Sequence, residues 1–328
     1  MVLSRKWVWL LRIGCVLLSA LILWRLSCLV RPSVVVQTWK SMRVGWFVAS
    51  VLLYGFLLIP VTVRWHMVLK LSKCAITPVV TYRYTVIGHL FYVLLFGWIG
   101  GDASKAVLYS RRQRIPVSTV LATVPFDRFM GTCSSLIIGA AILCAGLPRL
   151  DWHVSWVLLV CAAAAILVSI FLLRAKHFKP FDKFFASLRH LGRMMLVHPY
   201  VIVLGICCGL ACQISLSAVL ALNLVSVSTE PVPLGRMIWT FPAVVAISAL
   251  PITVGGLGAR EAAAVFLFGL YGVSSAEAIS ASLLSFCASL AWALVGALLL
   301  MRWKHRFGFP VHRTSPIMPA GSDGQRIL

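Results

Sequence analysis

Apolar residues run through this chain in long blocks with little polar interruption. Blocks of near-spanning length, about 20 residues, fall at 7–29, 46–69, 118–146, 153–173, 200–226 and 278–301. Two shorter blocks, 84–99 and 237–250, end at or near the glycine pairs Gly100-Gly101 and Gly255-Gly256. Each is followed by a short helix, at 102–112 and at 258–271. The pattern predicts an all-α polytopic membrane protein with about six full spans and two re-entrant helical hairpins tipped by the glycine pairs. One integral membrane domain is expected over 1–303. The basic, polar tail at 304–328 is expected to be disordered.

Composition agrees with this pattern: of 328 residues, 61% are hydrophobic and only 12% charged, which is outside soluble globular usage. The formal charge is +22, from 30 Lys and Arg against 8 Asp and Glu. Basic cytoplasmic loops and attraction to anionic lipid at the cytoplasmic face account for that excess. Nucleic-acid binding is not expected, because no soluble basic segment is long enough to carry it. The ten cysteines lie mostly within apolar runs and show no CxxC or His/Cys metal spacing. They read as small packing residues, and no cofactor or metal is expected. Arg5 and Lys6 precede the first block without a small-x-small cleavage site, so 7–29 reads as an uncleaved span.

Short-loop cations set the orientation. The segment 174–193 carries Arg174, Lys176, Lys179, Lys183, Arg189 and Arg193, and the tail carries Arg302, Lys304 and Arg306. Both are placed in the cytoplasm, as are the two termini. Counting spans from these anchors makes 84–112 a hairpin entering from inside and 237–271 one entering from outside. Arg25, Arg31, Lys40 and Arg43 then lie near the outer face, against the rule.

The two hairpins align at one offset: the glycine pairs are 155 residues apart, Lys105 falls on Arg260, and 46–69 falls on 201–224. The halves, 46–146 and 200–301, each read span, hairpin, span. By the charge count the second is inverted. Inverted repeats with Gly-interrupted helices in matching positions point to a transporter whose site lies near the bilayer midplane.

The acids sharpen this. Asp151, Asp182, Glu230 and Asp323 fall in loops or the tail, and Glu277 heads the last block. The remaining three are Asp102, Asp127 and Glu261, with Lys105, Arg128 and Arg260 beside them. Charges deep in membrane sequence are costly and usually functional. Gly100, Gly101, Gly255, Gly256 and Gly258 would let backbone turn sharply and a ligand come close. Arg260 could grip a phosphate through two N–H bonds, with Lys105 as a point charge. Asp102, Asp127, Arg128 and Glu261 would hold those cations or carry a coupling proton. The structural alternative is that Asp102 caps 102–112, that Arg260 pairs with Asp127 or Glu261 to hold the hairpins together, and that the glycines serve close packing. Arg64 reads as snorkelling to the inner interface, and His89 as a hydrogen-bonded helix residue rather than a proton relay.

At GWIGGDASKAVL (97–108), PFDRFMG (125–131) and PITVGGLGAREAAAVFLF (251–268) the chain resembles the lysylphosphatidylglycerol synthase transmembrane-region family. The resemblance covers roughly residues 40–300. That family includes the flippase half of bacterial multiple peptide resistance factors. It implies an inner-membrane protein of lipid or lipid-linked glycan handling, with Gly100, Gly101, Asp102, Asp127, Arg128, Gly255, Gly256, Gly258, Arg260 and Glu261 at motif positions. Lys105 stands where an Arg is common, and Asp127 where a Glu is common. Only a short tail follows the last span, so a soluble aminoacyl-transferase domain is not expected here, and the synthase activity does not carry over.

The expectation is therefore a flippase-like translocase for a membrane phospholipid or a polyprenyl-phosphate-type lipid, working with a separate synthase or transferase partner. The alternatives are a glycosyl, phosphoryl or aminoacyl transferase subunit acting on a lipid carrier, and a scaffold without turnover.

Overall fold

The computed structural model describes residues 17, 20–22, 24–28, 30–74, 77–94, 98–144, 182–248, 253 and 256–306. The block 153–173, Gly255, Pro251 and the tail beyond 306 lie outside the described residues, as does most of 7–29. Among the described residues the chain is helical and contains no strand.

The helices are α1 (Pro32–Lys40), α2 (Val44–Leu71), α3 (Pro78–Leu94), α4 (Trp98–Gln113), α5 (Val117–Leu121) and α6 (Thr123–Cys144). They continue with α7 (Asp182–Val197), α8 (Pro199–Val227), α9 (Leu234–Met237), α10 (Thr240–Ser248), α11 (Ala259–Gly269) and α12 (Ser275–Arg306). Three of them, α2, α8 and α12, are long and apolar enough to cross a bilayer. The chain is thus a multi-pass, all-helical membrane protein. α12 runs to Arg306, so the helix continues past the expected domain end at 303.

α2 shows why such helices do not look amphipathic. Tyr54, Leu57, Leu58, Trp65, Val68 and Leu69 are buried against the protein, while Val48, Leu52, Phe56, Ile59 and Val63 face outward. Both faces are apolar, as expected where the solvent is lipid. Pro60 lies inside α2 without ending it. Pro125 and Pro242 sit in the first turns of α6 and α10, where no intrahelical N–H is required.

α2 and α8 pack along each other at the centre, flanked by α6 and α12. Small residues bring the backbones together. A Cβ on Gly205 or Gly209 of α8 would overlap Met130 or Ser134 of α6, and one on Gly55 of α2 would overlap the Trp292 ring of α12. Gly209→Ala is expected to cost about 1–3 kcal/mol through this overpacking. Gly139→Ala is the neutral comparison, since a Cβ there meets nothing within 4 Å. Thermal unfolding of the two variants in detergent checks the difference.

Arg43, an outlier against the charge rule, has a local function. Its N–H donates to Ser226 O at 2.8 Å, and its guanidinium donates to Val225 O and Ser228 O, closing the C-terminus of α8. A cation there also meets the negative end of the helix dipole. Beside it, Glu277 accepts from Ser274 N at 3.2 Å and Thr229 N at 3.1 Å, tying the loop after α8 to the start of α12.

Candidate functional site

The first glycine pair does not stand at a tip. α4 begins at Trp98, so Gly100 and Gly101 lie within its first turn and Asp102 is its fifth residue, inside the helix rather than at a cap. Here the glycines serve contact. A Cβ on Gly101 would come 2.9 Å from Gly88 O, and one on Gly88 would come 2.9 Å from the Lys105 Cβ. The close approach of α3 and α4 presses Lys105 inward.

That approach builds an ionic ladder across three helices. Arg64 of α2 donates from Nε to Asp127 Oδ1 at 2.7 Å and from its Nη2 to Oδ2 at 3.4 Å. Lys105 Nζ of α4 lies 3.8 Å from Asp127 Oδ2 and 2.8 Å from Asp102 Oδ1, one turn back on its own helix. Arg128 Nε donates to Asp102 Oδ2. The order is Arg64, Asp127, Lys105, Asp102, Arg128, with sign alternating at each step. Consecutive residues on a helix point about 100° apart, which lets Asp127 meet α2 while Arg128 reaches Asp102 on α4. Arg64, Asp102, Lys105 and Asp127 are all buried, whereas the Arg128 side chain is 40% exposed.

Uncharged neighbours shape the ladder. Lys105 Nζ sits 4.7 Å from the centre of the Trp65 ring, a cation–π contact, and Trp65 Nε1 donates to Thr123 Oγ1 at 3.0 Å. Gly131 of α6 leaves room for the Arg64 guanidinium: a Cβ there would lie 2.8 Å from Nη1. The sequence reads Arg64 as snorkelling. The structure buries it, because Asp127 offers a fixed bidentate partner inside the protein. The missed signal is arithmetic: Asp127 and Arg64 are both charges inside apolar runs, and a buried charge needs an opposite one.

The second group stands on α11. Its N-cap Gly258 has φ 89° and Gly256 has φ 78°, left-handed values that glycine adopts without strain. A Cβ on Gly256 would also meet Ser248 O at 2.7 Å, so this turn packs back on α10. Glu261, fully buried, accepts from Gly258 N at 2.6 Å and from Ser282 Oγ at 2.8 Å. Arg260 donates from Nε to Ser282 Oγ at 2.8 Å and from its Nη2 to Glu261 Oε1 at 3.0 Å. Its side chain is 15% exposed.

The two acid-base groups therefore stay separate in their pairing. Asp127 is bonded to Arg64 and Lys105, and Arg260 to Glu261 and Ser282, so the expected Arg260–Asp127 contact is not formed. Between the groups runs a polar seam on α12. Ser285 accepts from Asn223, which in turn accepts from Ser50. Ser289 accepts from Tyr54 OH at 3.2 Å and lies 3.1 Å from His89 Nε2. His89 is the hydrogen-bonded helix residue that its sequence context suggests. Ser282, Ser285 and Ser289 follow helical spacing on α12, a signal visible in the sequence but indistinguishable there from small packing residues.

Among the described residues no group of His, Cys, Asp and Glu could hold a metal ion. What the arrangement offers is fixed charge among apolar surroundings: an alternating ladder buried except at its Arg128 end, and a guanidinium held at two points with a remaining edge.

No curated protein and no solved structure matches the chain. The family described as Lysylphosphatidylglycerol synthase TM region matches residues 12–307, which include every charged residue of both groups. The chain belongs to that lysylphosphatidylglycerol synthase transmembrane-region family.

Proposed function

We propose that the protein is a flippase-like translocase that carries a phosphate-bearing lipid or lipid-linked precursor across a bacterial-type inner membrane. The observation that carries this reading is Arg260. It is a guanidinium fixed by Ser282 and Glu261 beside a glycine turn, with its side chain 15% exposed. A guanidinium so held suits the tetrahedral oxygens of a phosphate, while the acyl or prenyl tail stays in lipid. Family membership supports a lipid-related membrane role.

In this proposal Arg128, the most exposed cation of the ladder, receives the headgroup first, and Lys105 acts from within as a fixed charge that lowers the cost of bringing an anion inward. Asp102, Asp127 and Glu261 orient the cations. Anionic phospholipid lies against the basic cytoplasmic rim, and a separate synthase or transferase supplies the lipid. The hairpins 84–112 and 237–271 enter from opposite faces, with both termini in the cytoplasm.

Reconstitution into liposomes with a fluorescent phosphate-bearing lipid tests the activity. The expected result is headgroup-dependent loss of outer-leaflet reporter. Product formation only in the presence of an activated donor would instead mark a transferase. The topology has its own test. Single cysteines at Gln113 and Ser274, in a background without other cysteines, are expected to label from opposite sides of the membrane, and same-side labelling ends the inverted arrangement.

A further inference from the structure

Pairs of contacts change places under the 155-residue offset. Trp292 Nε1 of α12 donates to Val51 O of α2 at 2.8 Å, and Ser134 Oγ of α6 donates to Ile206 O of α8 at 2.9 Å. The acceptors Val51 and Ile206 are 155 apart, and the donors Trp292 and Ser134 are 158 apart, about one helical turn off that register. Each carbonyl receives its donor from the long helix that closes the other half. Likewise Tyr54 OH bonds Ser289 Oγ, and Gly209 faces Ser134 Oγ. Gly209 lies 155 beyond Tyr54, and Ser289 lies 155 beyond Ser134. Contacts in which partners from opposite halves trade places are what a two-fold relation between the halves requires.

On the same register Lys105 corresponds to Arg260 and Asp127 to Ser282. These positions also meet in both halves. Lys105 Nζ lies 3.8 Å from Asp127, and Arg260 Nε donates to Ser282 at 2.8 Å. The second half thus carries a hydroxyl where the first carries a carboxylate. Lys105 is held by two acids and its side chain is 5% exposed. Arg260 is held by one acid, and its Nη1 has no hydrogen-bond partner among the described residues. A neutral residue at 282 leaves the cation with unspent charge and a donor edge.

We infer that Ser282 is the residue that keeps the Arg260 site open to an external phosphate, and that a carboxylate at this position seals the site as Asp127 seals Lys105. The inference rests on the translocase reading for its role in the cell, whereas its test reads binding alone. The protein purified in detergent is titrated with short-chain phosphatidylglycerol, with inorganic phosphate, and with short-chain diacylglycerol as the phosphate-free control. Ser282→Asp is expected to weaken phosphatidylglycerol binding by about tenfold or more, the loss of a charge-assisted hydrogen bond. Ser282→Asn, uncharged and equal in size to Asp, controls for the added bulk beside Arg260 and is expected to bind phosphatidylglycerol about tenfold or more tightly than Ser282→Asp.

The same contrast with inorganic phosphate assigns the site to the phosphate group itself, and a contrast confined to the lipid assigns it to a headgroup; both support the inference. Equal binding by parent and Ser282→Asp, or loss of binding in Ser282→Asn, overturns it, and the Asn variant decides even if the Asp variant does not fold. Binding with the contrast but no flipping would sink the translocase reading and leave the inference standing. Flipping by the parent with no contrast in binding would do the reverse.

Discussion

Asp127→Ala is expected to leave little folded protein. Asp127 is 1% exposed and is the only carboxylate bonded to Arg64 among the described residues. Together with Asp102 it also neutralises Lys105. Removing it strands a guanidinium and leaves an ammonium half compensated, both away from water. Breaking a buried pair by deleting one partner costs about 3–5 kcal/mol. A typical domain has roughly 5–15 kcal/mol in total, so the loss takes a large share of the stability. The readouts are the monodisperse fraction in size exclusion and the thermal midpoint in detergent. Arg64→Leu/Asp127→Leu, which removes both members, is expected to recover a substantial part, since Lys105 then keeps Asp102 and no guanidinium is stranded. Arg128→Gln is expected to be mild, because that side chain is 40% exposed and Asp102 keeps Lys105 at 2.8 Å. A parent-like midpoint for Asp127→Ala would mean that water already solvates the ladder from within.

The same residues show what could be read in advance. Asp102, Asp127, Glu261 and the cations beside them stand out because a charge in an apolar run has no bland explanation in a bilayer. The 155-residue offset is equally visible, since glycine pairs and basic residues are rare enough here to align. Which charge meets which is not visible. Asp127 could have faced Arg260, and pairs with Arg64 because α2 and α6 flank one another and Gly131 vacates the space for the guanidinium. That is a property of helix placement, settled by contacts between residues dozens of positions apart. Gly100 and Gly101 mislead for a related reason. Glycine serves a turn and a close helix contact equally well, and only the partner, Gly88 O at 2.9 Å from a Cβ on Gly101, shows the second use. Arg43 contradicts the charge rule for as long as it is counted as loop charge. As a cap on α8 it counts toward the fold.

Arg260→Ala is expected to separate function from folding where Asp127→Ala cannot. Its deletion leaves the fully buried Glu261 without its cation but still hydrogen-bonded to the N–H of Gly258 at 2.6 Å and the hydroxyl of Ser282 at 2.8 Å. The protein should therefore stay folded at a lowered thermal midpoint, with the two remaining hydrogen bonds holding the cost below the roughly 3–5 kcal/mol of a fully stranded buried charge. Transport should fall much further. Two charge-assisted hydrogen bonds to a phosphate, at about 1.5–3 kcal/mol each, amount to a hundredfold or more in rate, at roughly tenfold per 1.4 kcal/mol. Initial flipping rates in liposomes, at matched protein content, are the measurement. Arg260→Lys is the informative intermediate: it keeps the charge but loses the planar fork, so part of the activity should return. If Arg260→Ala flips the reporter at the parental rate while folded, the Arg260–Glu261–Ser282 group is structural, and the headgroup must be handled at the Arg128 end of the ladder.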